Sequence, residues 1–98
     1  MKIRFKNHKL YRVCTNAAAA RKAYGGEMAR RIHQRIDELT AADTVEMMVR
    51  YHIGRCHALT GNRAKQYALD LVHPYRLVFT VEHGAIQIAD IFEIVDYH

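Results

Sequence analysis

Ninety-eight residues, half of them apolar, suffice for a single domain spanning residues 1–98 with a modest core. Fifteen Lys and Arg against ten Asp and Glu leave a formal charge of +5, which favours an anionic partner, nucleic acid foremost. No run nears the ~18 apolar residues of a membrane span, and the basic start MKIRFKNHKLYR lacks a signal peptide's apolar stretch.

A cytoplasmic protein is therefore expected, with no membrane among its partners. Cys14 and Cys56 form no C-x-x-C pair and are expected as reduced, buried thiols.

In chain order, KIRF alternates Ile3 and Phe5 with charged residues and reads as a short edge strand. NHKLYRVC spaces Leu10, Val13 and Cys14 on one helical face behind a capping Asn7, although LYRVC also fits a strand. Ala17 to Tyr24 is Ala-rich and helix-prone, and Gly25-Gly26 punctuates it. EMARRIHQRIDELTAA then places Met28, Ile32, Ile36 and Leu39 on one stripe. Arg30, Arg31 and Arg35 are expected on its solvated side. DTVE, Asp43 to Glu46, resembles a capping box opening a short helix with Val45, Met48 and Val49 inward.

Beyond Tyr51 the pattern changes. TGNR reads as a turn, QYALDLV and YRLVFTV as strands separated by His73-Pro74, and a last strand runs from Ile86 or Ile88 to Tyr97. Helices first and a three-strand antiparallel meander afterwards predict an α+β fold. Two or three N-terminal helices would cover one sheet face and leave the other open.

Seven histidines invite a metal site, but their spacing with the cysteines matches no zinc pattern, and no metal or cofactor is expected. The chain lacks serine altogether, so serine-nucleophile chemistry is closed, and no glycine loop suits a phosphate cradle. What remains is RCHALTGNR, the Arg76 of HPYRLVF, and the final DYH. In a meander the start of the middle strand lies beside the end of the next, so Arg76 should neighbour Tyr97 and His98. These residue types suit RNA cleavage by attack of its own 2′-hydroxyl, without a metal. His57 and His98 would move protons, Arg76 would hold the phosphate, and Tyr97 or Tyr67 would stack on bases. The bland alternatives are solvated histidines, and an Arg76 that stacks on Tyr75 and pairs with Asp70 or Glu93. Residues alone leave catalysis open beside plain nucleic-acid or protein binding.

RCHALTGNRAKQYALDLVHPYRLVF, followed by EIVDYH, resembles the RelE/ParE superfamily of small bacterial toxins, in particular its HigB-like, plasmid-maintenance-killer branch. The H-x-L-x-G-[DN]-R turn, the aromatic-Arg strand start and the Tyr-His ending carry the resemblance together. It implies helices against an antiparallel sheet and a ribosome-dependent mRNA endoribonuclease (an mRNA interferase, hydrolase by class). Such a toxin inhibits growth until a cognate antitoxin, often a helix-turn-helix protein, neutralises it. Carried over, His57 and His98 are the acid/base pair, Arg76 the phosphate clamp, and Tyr97 a stacking or orienting group. Arg63 touches RNA.

Thr60 stands where relatives commonly have lysine, and Asn62 where many have aspartate; either Lys65 or Arg63 replaces the lost charge, or this chain is a slow enzyme. Relatives also often run at least one residue beyond the position of His98. The superfamily's ParE branch, which inhibits DNA gyrase without catalytic histidines, is the alternative function. A toxin-fold module that only binds antitoxin or nucleic acid is a third.

Overall fold

The structure, a computed structural model, describes residues Met1 to Tyr97; His98 lies outside the described residues. Strand β1 (Lys2–Phe5) precedes helices α1 (His8–Thr15), α2 (Ala17–Tyr24), α3 (Gly26–Ala41) and α4 (Val45–Arg50). Four further strands follow: β2 (His57–Ala58), β3 (Gln66–Asp70), β4 (Tyr75–Glu82) and β5 (Ile88–Asp96). This is the expected α+β order, a short N-terminal strand and then the helices before the main run of strands.

Side-chain caps set the starts of α1, α2 and α4, while α3 begins behind Gly25 without one. Asn7 Oδ1 accepts from the Leu10 N–H at 2.9 Å, which resolves the ambiguous LYRVC segment in favour of helix. Asn16 ends α1 by donating its N–H to Arg12 O at 2.8 Å, and opens α2 by accepting from Ala19 N–H at 2.9 Å. The start of α4 departs from the capping-box reading. Thr44, not Asp43, is the cap, accepting from Met47 N–H at 3.2 Å. Glu46 instead accepts from Gln87 Nε2 at 2.7 Å, and Gln87 Oε1 takes the Val45 N–H at 2.8 Å, so one glutamine ties α4 to the β5 side. Those contacts, Gln87 first and His83 after it, hold the Glu46 carboxyl below its usual range.

The sheet order is β1-β5-β4-β3-β2. The expected meander β3-β4-β5 forms its antiparallel centre, while β1 sits at the edge and pairs parallel with β5, a pairing the local pattern does not reveal. Strand β5 carries a bulge: Val78 faces Glu93 but Phe79 faces Ile91, so Phe92 has no opposite number. That extra residue corrects the alternation. Ile91 and Ile94 both reach the helix side, and Glu93 and Val95 turn to the other.

On the helix side Leu69, Leu77, Phe79, Ala89 and Ile91 pack with Ile32, Leu39, Val45 and Met48 into a core closed to solvent. Arg35 departs from its expected solvated position and lies buried on α3 beside that core, 8% exposed. No helix among the described residues is long and apolar enough to cross a membrane.

Cys14 and Cys56 are buried, as expected, and burial pushes both thiols up to about 12. A folded-state pKa above the unfolded one means that folding holds the proton. That stability is whole below the ordinary thiol value of about 8.5, and drains as pH climbs toward the folded value. The loss approaches roughly 1.4 kcal/mol per pH unit per thiol. At pH 8 a disulfide-exchange reagent should label neither cysteine in native protein and both after denaturation. Rapid labelling of native protein would contradict the burial.

Candidate functional site

The sheet's other face is not the bare surface that the sequence suggests. Its centre, Ala68 beside Val78, is fully buried although neither residue belongs to the helix-side core. A layer of polar and aromatic side chains from Arg63, Glu93, Tyr97, Arg76 and Asp70 is available to cover it. Strand parity puts Asp70, Arg76 and Glu93 there, and Arg63 and Tyr97 join them from the adjoining turn and the end of the last strand. Asp70, Arg76 and Val95 form one row, and His57, Ala68, Val78 and Glu93 the next.

Arg76 lies within ion-pair range of Asp70, Nε to Oδ1 3.5 Å, although that oxygen is buried and accepts no hydrogen bond among the described residues, and it lies against Tyr97, whose ring centroid is 4.7 Å from the guanidinium. Of the bland partners weighed for it, Asp70 is the observed one. Glu93 is taken by Arg63 at 2.5 Å, and the ring over which Arg76 lies is that of Tyr97. Arg63 also lies 5.6 Å from the Tyr97 ring centroid, so two guanidinium groups approach the one aromatic ring. The Glu93 hydrogen bond holds the Arg63 guanidinium firmly charged. Tyr97 is anchored through its backbone N–H, which donates to Pro74 O at 3.1 Å. Its hydroxyl is buried and finds no hydrogen-bond partner among the described residues. Arg55, Asp70, His73, Arg76 and Tyr97 line a pocket of about 220 Å³.

His57 projects from the short strand β2, two strand spacings or about 10 Å from the strand of Arg76. Its Nδ1 lies 2.8 Å from the carbonyl oxygen of Arg55. A carbonyl only accepts, so Nδ1 carries the proton, and in the neutral ring Nε2 keeps the basic lone pair. Nε2 makes no hydrogen bond among the described residues. The Arg55 carbonyl points this way because the turn Ile53–Arg55 is left-handed, with φ +58° at Gly54 and +54° at Arg55. Such conformations cost a non-glycine residue energy and recur where a backbone group is being aimed.

The structure thus brings Arg76, Tyr97 and Arg63 together and puts His57 on the same face. Lys65 is exposed at φ +74°, just before β3. Tyr67 is not brought into the group: it faces the helices, stacked on Phe79 with centroids 5.7 Å apart. The sequence reading missed Arg55, whose carbonyl meets His57 Nδ1 and whose guanidinium lies 3.2 Å from the Asp70 carboxylate. A glycine just before an Arg-Cys-His run was the available signal for the turn. Among the described residues no group of three or more His, Cys, Asp and Glu side chains is placed to hold a metal ion.

The fold matches the YoeB/ParE toxin from Agrobacterium tumefaciens, with a TM-score of 0.68 over 100% of both chains at 13% sequence identity. That likeness shows the fold. No protein-family model matches the sequence, and no curated protein matches it. The shared architecture is the α+β one that the element order predicted, N-terminal helices against a sheet with an antiparallel centre.

Glu93 neutralises Arg63 on this face. Glu93→Gln should free that cation for a polyanion and steepen the salt dependence of single-stranded RNA binding. Each added phosphate contact changes the log–log slope by roughly 0.7. An unchanged slope in a salt titration would show that Arg63 does not reach the RNA.

Proposed function

We propose that the chain is the toxin of a type II toxin–antitoxin pair, a HigB-like, ribosome-dependent endoribonuclease that cuts mRNA. One observation carries the reading above the rest. An imidazole with Nδ1 tied to a carbonyl and Nε2 unengaged stands on the same face as a partly exposed arginine and a tyrosine. The toxin fold and the net charge of +5 support it.

In this reading the 2′-oxygen of one ribose attacks the adjoining phosphorus as a base removes its proton, and the bond from phosphorus to the 5′-oxygen breaks. The departing oxygen takes a proton from an acid. His57, through Nε2, is one member of that acid/base pair and His98 is the other. Arg76 grips the non-bridging phosphate oxygens, whose charge grows in the crowded phosphorane, and a bidentate grip is what a guanidinium does best. For Arg76 that grip means exchanging Asp70 for phosphate. Tyr97 orients Arg76 from below, and Arg63 and Lys65 follow the RNA backbone. A cognate antitoxin holds the protein silent in the cell.

The test is a single-turnover cleavage assay on programmed ribosomes, alongside growth after induction. His57→Ala should slow cutting by about 10²–10⁴-fold, the usual worth of a placed acid or base, and should abolish growth arrest. Arg76→Lys should also impair cutting, because the point charge loses the fork. Growth arrest that survives His57→Ala would overturn the nuclease reading and direct attention to DNA gyrase. An absence of growth arrest by the wild-type chain would leave a module that binds without cutting.

A further inference from the structure

The sequence reading leaves Arg35 on the solvated side of α3, yet it is only 8% exposed. Its Nε donates to the backbone carbonyl of Asp70 at 2.6 Å, and a terminal nitrogen donates to Glu38 at 2.8 Å. The carbonyl needs this donor for a geometric reason. Leu71 N–H bonds to Tyr75 O, so the next residue inward, Asp70, turns its own N–H and C=O away from β4. Strand β2 pairs only with Tyr67 and Ala68, so no strand reaches Asp70 on that side. Arg35 takes the place of the missing strand.

The same side chain shapes the turn before His57. A Cβ added to Gly54 would fall 2.9 Å from Arg35 Cδ and Nε, closer than real atoms approach. Gly54 is therefore required both by its φ of +58° and by the arginine stem against it. Asp70, fixed through its backbone by Arg35, extends its carboxylate to Arg55 at 3.2 Å and to Arg76 at 3.5 Å. Arg55 in turn presents its carbonyl to His57 Nδ1.

We propose that Arg35 is a positioning residue, which sets the tautomer of His57 and the place of Arg76 through Asp70 and the Ile53–Arg55 turn. It touches no substrate. Its contribution is to hold two catalytic groups from behind, and that part of the statement rests on the nuclease reading above. The tautomer part does not.

Long-range proton–nitrogen correlation spectra of the full ¹⁵N-labelled chain, at a pH where the imidazole is neutral, read the tautomer directly. The wild-type chain should show His57 protonated on Nδ1. Arg35→Met, and Gly54→Ala by pushing on the arginine, should shift it toward the Nε2–H form, and Arg35→Lys should shift it less. A wild-type His57 protonated on Nε2 overturns the proposal whatever the variants do. So does an unchanged tautomer in either folded variant. In the ribosome assay the Arg35→Met chain should lose kcat, by up to about 10²-fold for a misplaced group, with KM little changed. A loss confined to KM would contradict positioning. A tautomer shift without cleavage by any form, wild type included, would sink the nuclease reading and keep the Arg35 assignment.

Discussion

Asp70 is the residue on which both faces of the sheet depend. Its backbone carbonyl is left without a strand partner and is taken by a buried arginine on the helix side. Its carboxylate, on the other side, holds Arg55 and Arg76. One residue at the end of β3 thus joins the interior packing of α3 to the arginine that the proposed chemistry needs most. A buried guanidinium without partners would be costly, so Arg35, Glu38 and the Asp70 carbonyl form a set that stands or falls together.

The second constraint is the bulge at Phe92. Without the extra residue, Ile94 and Glu93 would exchange faces, burying a carboxylate and exposing an isoleucine. With it, Glu93 reaches Arg63, and Tyr97 arrives beneath Arg76 and Arg63. The aromatic end of β5 is therefore aimed by an irregularity several residues upstream. The ring so placed is crowded by two arginines. Tyr97 is thereby better placed to orient charge than to offer a bare stacking platform.

Much of the fold was legible because it rests on local signals. The cap Asn7, the α3 stripe and the strand runs are written in short-range pattern, and the helices-then-strands order follows from them. The failures share a physical cause: each depends on a neighbour distant in sequence. The parallel pairing of β1 with β5, the cap shift to Thr44 beside Gln87, and the burial of Arg35 against Gly54 and Asp70 are all tertiary. Of the site, Arg76 beside Tyr97 followed from meander geometry. Tyr67 was misplaced because the alternation along β3 turns it to the helices, a parity that only the register with β4 defines. His57 was found by its residue type, while the carbonyl that fixes its tautomer comes from a left-handed turn that sequence pattern does not announce.

The chemistry proposed for this face is RNA cleavage through the substrate's own 2′-hydroxyl. The most direct measurement supplies translating ribosomes with two messages identical but for one ribose at the cut position, normal in one and 2′-deoxy in the other. With that chemistry the protein cleaves the first, leaving a 5′-hydroxyl on the downstream fragment, and spares the second at that position. Equal cleavage of both, or of neither, would contradict it.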